Sequence, residues 1–271
     1  MKVTYFTMSD FFLKKMKQPI GFFDSGVGGL SLLPAVSAIL PNEDICYLAD
    51  EAFSPYGDKT HKEILDRARA ITLKLLSFDC KLIVLACNTA TTQVINQLRK
   101  EFTVPFVGIE PAIKPAALTT QTGVVGVLAT KGTLNSQLFH KSSLEHGSKI
   151  QLVEQIGTGL VACVESNKID DPSTFTLLES FLNPMVDRGM DSLVLGCTHY
   201  PFLVPVIKKI IPQHVRIIDN SQAVAQQIKR RLTEMDLCDT SNTTSLHTYF
   251  SSSSNSNLSR FVKHTINFLP L

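Results

Sequence analysis

The strongest constraint on this chain is a series of short apolar runs, each of which closes on small or hydroxylated residues. Candidate strands lie at 20–23, 44–48, 82–86, 104–109, 124–128, 150–154, 192–195 and 215–218. Most are continuously apolar rather than alternating. A strand that is apolar on both faces must be covered on both, which is the condition of a parallel sheet between helical layers. The intervening segments have helical spacing. Ile64, Ala68, Ile71 and Leu75 line one face of a helix near 61–78, and Val94, Leu98 and Phe102 mark the next. The expected class is α/β, three-layered, with mostly parallel sheets.

The runs also repeat weakly. At an offset of 110, "IVLACNTATTQV" meets "LVLGCTHYPFLV", so that Val84, Leu85, Cys87 and Val94 fall on Val194, Leu195, Cys197 and Val204. At an offset of 105, "IGFFDSGVG" meets "VGVLATKGT", with Gly21 on Gly126. Chance likeness among α/β repeats is the competing explanation. Duplication predicts two pseudo-symmetric domains with a site in the cleft between them. Pro111 and Pro115 in "EPAIKPAA" place the break near 110–117. The first domain would comprise 19–112 plus 222–271 and the second 113–221, with 1–18 as an N-terminal extension. In the tail, a helix from Ser221 capped by Asn220 is expected. A strand in "SLHTYF", the linker "SSSSNSN" and a helix in "LSRFVKHTINFL" come after it.

Composition excludes several classes. The 26 basic and 24 acidic residues leave a net charge of +2, which gives no electrostatic case for nucleic acid or an anionic membrane surface. No apolar stretch approaches the roughly 20 residues a membrane span needs. The N-terminus places Asp10 before its apolar residues and lysines after them, the wrong order for a signal peptide. A cytoplasmic protein is expected. Of the six cysteines, none forms a C-x-x-C pair or a zinc spacing. Cys46, Cys80, Cys163 and Cys238 read as packing residues, and His61, His140 and His264 as surface residues in helical patterns.

In open α/β sheets ligands bind beyond the carboxyl ends of the strands. Four polar loops follow strands there: Asp24–Gly29, Cys87-Asn88-Thr89, Ala129–Thr133 and Cys197-Thr198-His199. The first is not a dinucleotide fingerprint, because the third glycine would fall at Ser31. It offers backbone N–H groups at a helix start, suited to a small carboxylate. In the cysteine loops a helix start favours thiolate, and His199 stands two residues beyond Cys197. Two thiols facing across a cleft leave open a disulfide, disfavoured by the compartment, or two-base proton transfer. In the latter, one sulfur removes an α-proton and the other returns one on the opposite face. A metal would need more ligands than Cys87, Cys197 and His199.

In order, "GFFDSGVGGLSLL", "LADEAFSPYGDKT", "VLACNTATT", "VGVLATKGTL", "LVACVES" and "LVLGCTHYPFL" resemble the glutamate racemases, members of the cofactor-independent aspartate/glutamate racemase family. The resemblance covers about residues 19–270. It implies interconversion of L- and D-glutamate without cofactor or metal, with D-glutamate feeding peptidoglycan. Cys87 would be the base toward D-glutamate and Cys197 the base toward L-glutamate. Asp24 would assist Cys87, while His199 and Glu165 would assist Cys197. Asp24, Ser25, Pro55, Tyr56, Gly57, Asn88, Thr89, Thr130, Thr133, Thr198 and His199 would bind substrate. A homodimer is left open. Three rivals stand beside this reading: a racemase for aspartate, a binding protein on a racemase scaffold, and a thiol hydrolase using Cys197 and His199.

Overall fold

The structure, a computed structural model, describes residues 17–147, 149–241 and 244–271. The expected N-terminal extension lies outside the described residues up to residue 16. Ten strands are described: β1 Ile20–Asp24, β2 Ile45–Ala49, β3 Leu82–Leu85, β4 Phe106–Gly108, β5 Val124–Ala129, β6 Gln151–Ile156, β7 Ser192–Gly196, β8 Arg216–Ile218, β9 His247–Ser251 and β10 Ile266–Phe268. They form two sheets, in the orders β10-β9-β2-β1-β3-β4 and β6-β5-β7-β8. Every described pairing is parallel.

The β2-β1-β3-β4 part of the first sheet matches the order and register of the second, β6-β5-β7-β8. Gly21 on β1 stands opposite Cys46 of β2 and Ile83 of β3. Gly126 on β5 stands opposite Val153 of β6 and Leu193 of β7. Gly21 and Gly126 therefore occupy one node of the repeat, and 193 − 83 reproduces the 110-residue offset. β1, β2 and β3 are buried along their whole lengths, as is β7, because helices cover both faces. The helix His61–Ser77 buries Ile64, Ala68, Ile71 and Leu75, and it opens on a capping box between Thr60 and Glu63. The helix Asn88–Glu101 buries Val94, Ile95 and Leu98. One apolar cluster belongs mainly to each half, and a third runs continuously through both. Among the described residues, no helix is long and apolar enough to cross a membrane.

Three expectations need correction. The segment 258–269 is not a helix: a 3-10 turn, Asn257–Arg260, leads into β10, which adds in parallel to β9. Its apolar spacing supports one helical turn only, and the open edge of β9 captures the chain beyond that turn. His264 accordingly sits outside any helix, stacked on Tyr249. At the helix Ser221–Glu234 the Asn220 side chain makes no cap; the Asp219 carboxylate accepts the Ser221 N–H at 2.9 Å.

Candidate active site

β1, β3, β5 and β7 are equivalent pairs of central strands, and each delivers a polar loop at its carboxyl end. Cys87 follows β3 and occupies the cap position of the helix Asn88–Glu101. Cys197 follows β7 and precedes only a short 3-10 turn, Tyr200–Leu203. Both thiols are nearly buried, and both line one cavity of 420 Å³. That volume is in the range of small-molecule sites.

Of the residues singled out from sequence, Ser25, Pro55, Tyr56, Gly57, Cys87, Asn88, Thr89, Thr130, Cys197, Thr198 and His199 line this cavity. Asp24, Thr133 and Glu165 stand one layer behind. Asp24, with no exposed surface, accepts the Gly26 N–H at 2.8 Å and the Thr198 hydroxyl at 3.1 Å. Thr133 shares a hydroxyl cluster with Thr130, at 2.9 Å, which continues across the cleft to Thr89 at 2.8 Å. Tyr56 is fixed from behind, its hydroxyl donating to buried Asp50 at 2.6 Å, and Asp50 also holds Arg67 and Ser252. Asn88 donates to the Ile109 carbonyl at 3.4 Å, while its buried Oδ1 has no partner in the protein.

The two thiols have opposite surroundings. Cys87 donates to Ser25 Oγ at 3.7 Å. Burial, and then the neighbouring Asp24 carboxylate, push the Cys87 thiol up to about 12, although the helix start and Ser25 pull the other way. The expectation that the helix start would favour thiolate at Cys87 is therefore corrected: desolvation outweighs the dipole. Cys197 Sγ lies 3.7 Å from His199 Nδ1, and His199 Nε2 lies 2.7 Å from Glu165 Oε1. Burial alone would lower His199, but its partners Cys197 and Glu165 hold it well above the ordinary imidazole value. Burial would likewise raise Glu165, yet bonds from His199, the Val27 N–H and Asn257 keep its carboxyl below the usual range. Burial pushes Asp24 up to about 6, against the opposing charge of His199.

Glu165 lies on the helix Leu160–Glu165 of the second half, yet it accepts the Val27 N–H of the first half at 2.9 Å. Such a close approach needs a glycine next door. A Cβ at Gly26 would stand 1.8 Å from Glu165 Oε1. Gly26→Ala will therefore displace the carboxylate and lower turnover about tenfold, the effect of losing a charge-assisted hydrogen bond. Steady-state kinetics at matched folding check this.

Sequence reading missed part of the wall: Asp58, Lys131, Ile156, Thr158, Gly159, Val161 and Ala162 also line the cavity. Ile156 ends β6, and Thr158, Gly159, Val161 and Ala162 belong to the loop and helix that follow it. The carboxyl-end rule that selected the other loops applies there too, and Gly159, with φ of 84°, marks the turn.

Comparison with known proteins covers most of the chain. A family model described as Asp/Glu/Hydantoin racemase matches residues 31–228. Glutamate racemase of Ectopseudomonas mendocina (strain ymp) is 44% identical over 226 residues, covering 83% of this chain and 86% of that one. That of Herpetosiphon aurantiacus is 44% identical over 220 residues, covering 81% and 87%. Among solved structures, glutamate racemase isoform RacE1 of Bacillus anthracis is similar with a TM-score of 0.82 at 29% identity, covering 94% and 98%. Escherichia coli glutamate racemase, solved with L-glutamate and the activator UDP-MurNAc-ala, has a TM-score of 0.82 at 30% identity, covering 93% and 98%.

Proposed function

This chain belongs to the Asp/Glu/Hydantoin racemase family; from that premise we propose that it interconverts L- and D-glutamate by a two-thiol, two-base mechanism. The observation that carries the mechanism is the pair of thiols on one cavity, delivered by equivalent loops and held in opposite electrostatic settings. The choice of glutamate follows the relatives. Its D-glutamate supplies peptidoglycan synthesis, and the reaction takes place in the cytoplasm. The two domains comprise 19–112 plus 222–271 and 113–221; β9 and β10, which complete the first sheet, support that division.

In the direction from L to D, Cys197 sulfur acts as thiolate, with the His199 imidazolium as its counter-charge. It takes the α-proton, and the electron pair left on Cα delocalises into the adjacent carboxylate. Cys87, held as the neutral thiol, then gives its proton to the opposite face. The product leaves with Cys87 as thiolate and Cys197 as thiol, and the reverse reaction begins from that form. Burial and Asp24 both disfavour thiolate at Cys87, which suits it to the part of proton donor when L-glutamate is bound. Ser25 and Thr89 offer hydroxyl donors to the substrate carboxylates without adding a competing base, and Thr130 and Thr198 line the same wall. Asn88, on the same wall, stands where it can meet the ammonium group.

Proton NMR of pure L- and then pure D-glutamate in D2O, without added cofactor, tests the reading. Loss of the α-proton signal together with inversion, from either enantiomer, supports it. No exchange with folded, reduced protein rejects glutamate as the substrate, and turnover of aspartate in the same tube would reassign it.

A further inference from the structure

The serine-rich stretch that reads as a linker in the sequence reaches the site. β9 ends at Ser251, and the chain then turns back over the loop after β2. Glu51 gathers this turn: its carboxylate accepts the Ser251 and Ser256 hydroxyls and, at 2.8 Å, the Asn257 N–H. Ser252 is fixed in the same way by buried Asp50, at 2.7 Å. The Asn257 side chain is thereby aimed at Glu165, its Nδ2 standing 3.3 Å from Oε2. The other oxygen, Oε1, holds His199 Nε2 at 2.7 Å, and His199 Nδ1 faces Cys197 Sγ at 3.7 Å.

We infer that Asn257 is a positioning residue for the Cys197 side of the reaction, acting through Glu165 and His199. An imidazole is oriented by what its far nitrogen binds, and that partner must itself be held. Glu165 is anchored to the first half by the Val27 N–H on one oxygen and by Asn257 on the other. Without Asn257 the carboxylate keeps both remaining bonds through a single oxygen and can swing about it. This inference rests on the two-thiol reading above.

The test uses the full chain with Asn257→Ala and Asn257→Asp. Asn257→Ala should lower kcat/KM roughly tenfold, the lower end for a hydrogen bond to a charged group. Asn257→Asp keeps size and shape but replaces the donor by a second carboxylate, so it should fall at least as far. Isotope effects give the readout that packing alone would not move. With the Cys197 step slowed, the effect on kcat/KM for α-deuterated L-glutamate rises, while that for α-deuterated D-glutamate falls. Both variants within twofold of wild type overturn the inference. So does a rate loss that leaves both isotope effects unchanged, or an Asn257→Asp enzyme that behaves as wild type. Absence of glutamate turnover by the wild-type protein itself overturns the underlying two-thiol reading instead.

Discussion

Cys87→Ser and Cys197→Ser will each lower kcat/KM by about 10³-fold, within the 10²–10⁴ that a positioned acid or base contributes. Serine is nearly the same shape but a far weaker acid, so it cannot cycle between proton donor and acceptor near neutral pH. The loss must be equal from L- and D-glutamate for either variant, because the enantiomers have equal free energy and the two kcat/KM values are tied by that equilibrium. Direction shows itself in isotope effects. In Cys197→Ser the α-deuterium effect should grow for L-glutamate and shrink for D-glutamate, and Cys87→Ser should do the reverse. Either variant retaining activity within tenfold of wild type rejects two-base transfer. Swapped isotope patterns would keep two bases but exchange their faces. A hydrolase using Cys197 and His199 predicts that Cys87→Ser is nearly silent, which separates it cleanly.

The parts of this architecture that depend on local pattern were legible in the sequence. Continuous apolar runs such as "LIVL" and "SLVLG" became buried central strands, and the matched glycines at 21 and 126 proved to occupy one register position in two sheets. The loops carrying Cys87 and Cys197 could be found because chain order alone puts them after strands. The features that failed to show depend on distance or burial. "LSRFVKHTINFL" carries an amphipathic spacing that suits a helix, but the free edge of β9 offered backbone partners and made β10. Local propensity loses to a tertiary partner of this kind. The helix start beside Cys87 was visible, whereas the desolvation that overrides it was not, since nothing in "LACNTATT" states that Cys87 is 6% exposed. The bonds of Glu165 to Val27 and Asn257 span 138 and 92 residues, and no periodicity encodes them. The contact of Asn257 was further hidden by composition, because a serine-rich run reads as solvent-exposed linker whether or not its ends are pinned.

Asp24→Asn is expected to make the protein more stable and a poorer enzyme, and the two effects share one cause. Asp24 has no exposed surface, and its folded-state value stands at about 6 against an ordinary 3.8. For an acid raised in the folded state, the unfolded chain releases its proton first as pH rises. Stability is therefore fully present below about pH 4, is lost between about pH 4 and 6, and stays lower above that. A shift of that size corresponds to roughly 3 kcal/mol at neutral pH, net of the favourable charge on His199. Asparagine is isosteric and keeps both contacts: its Oδ1 accepts the Gly26 N–H, and its Nδ2 donates to a reoriented Thr198 hydroxyl. The variant should thus match wild type in urea unfolding near pH 4 and exceed it by up to about 3 kcal/mol at pH 7. Its thermal midpoint there should lie some 5–10 °C higher. Activity goes the other way. A neutral amide removes the charge that balances His199 and sets the Cys87 thiol, so kcat/KM should fall about 10²-fold. Lost activity with a flat stability difference from pH 4 to 7 would mean that Asp24 carries no strained charge. Gained stability with full activity would mean that its charge plays no part in the reaction. The predicted combination, costly to the fold and needed by the proposed chemistry, is what a buried carboxylate near the Cys87 thiol implies, because the burial that raises Asp24 also disfavours thiolate at Cys87.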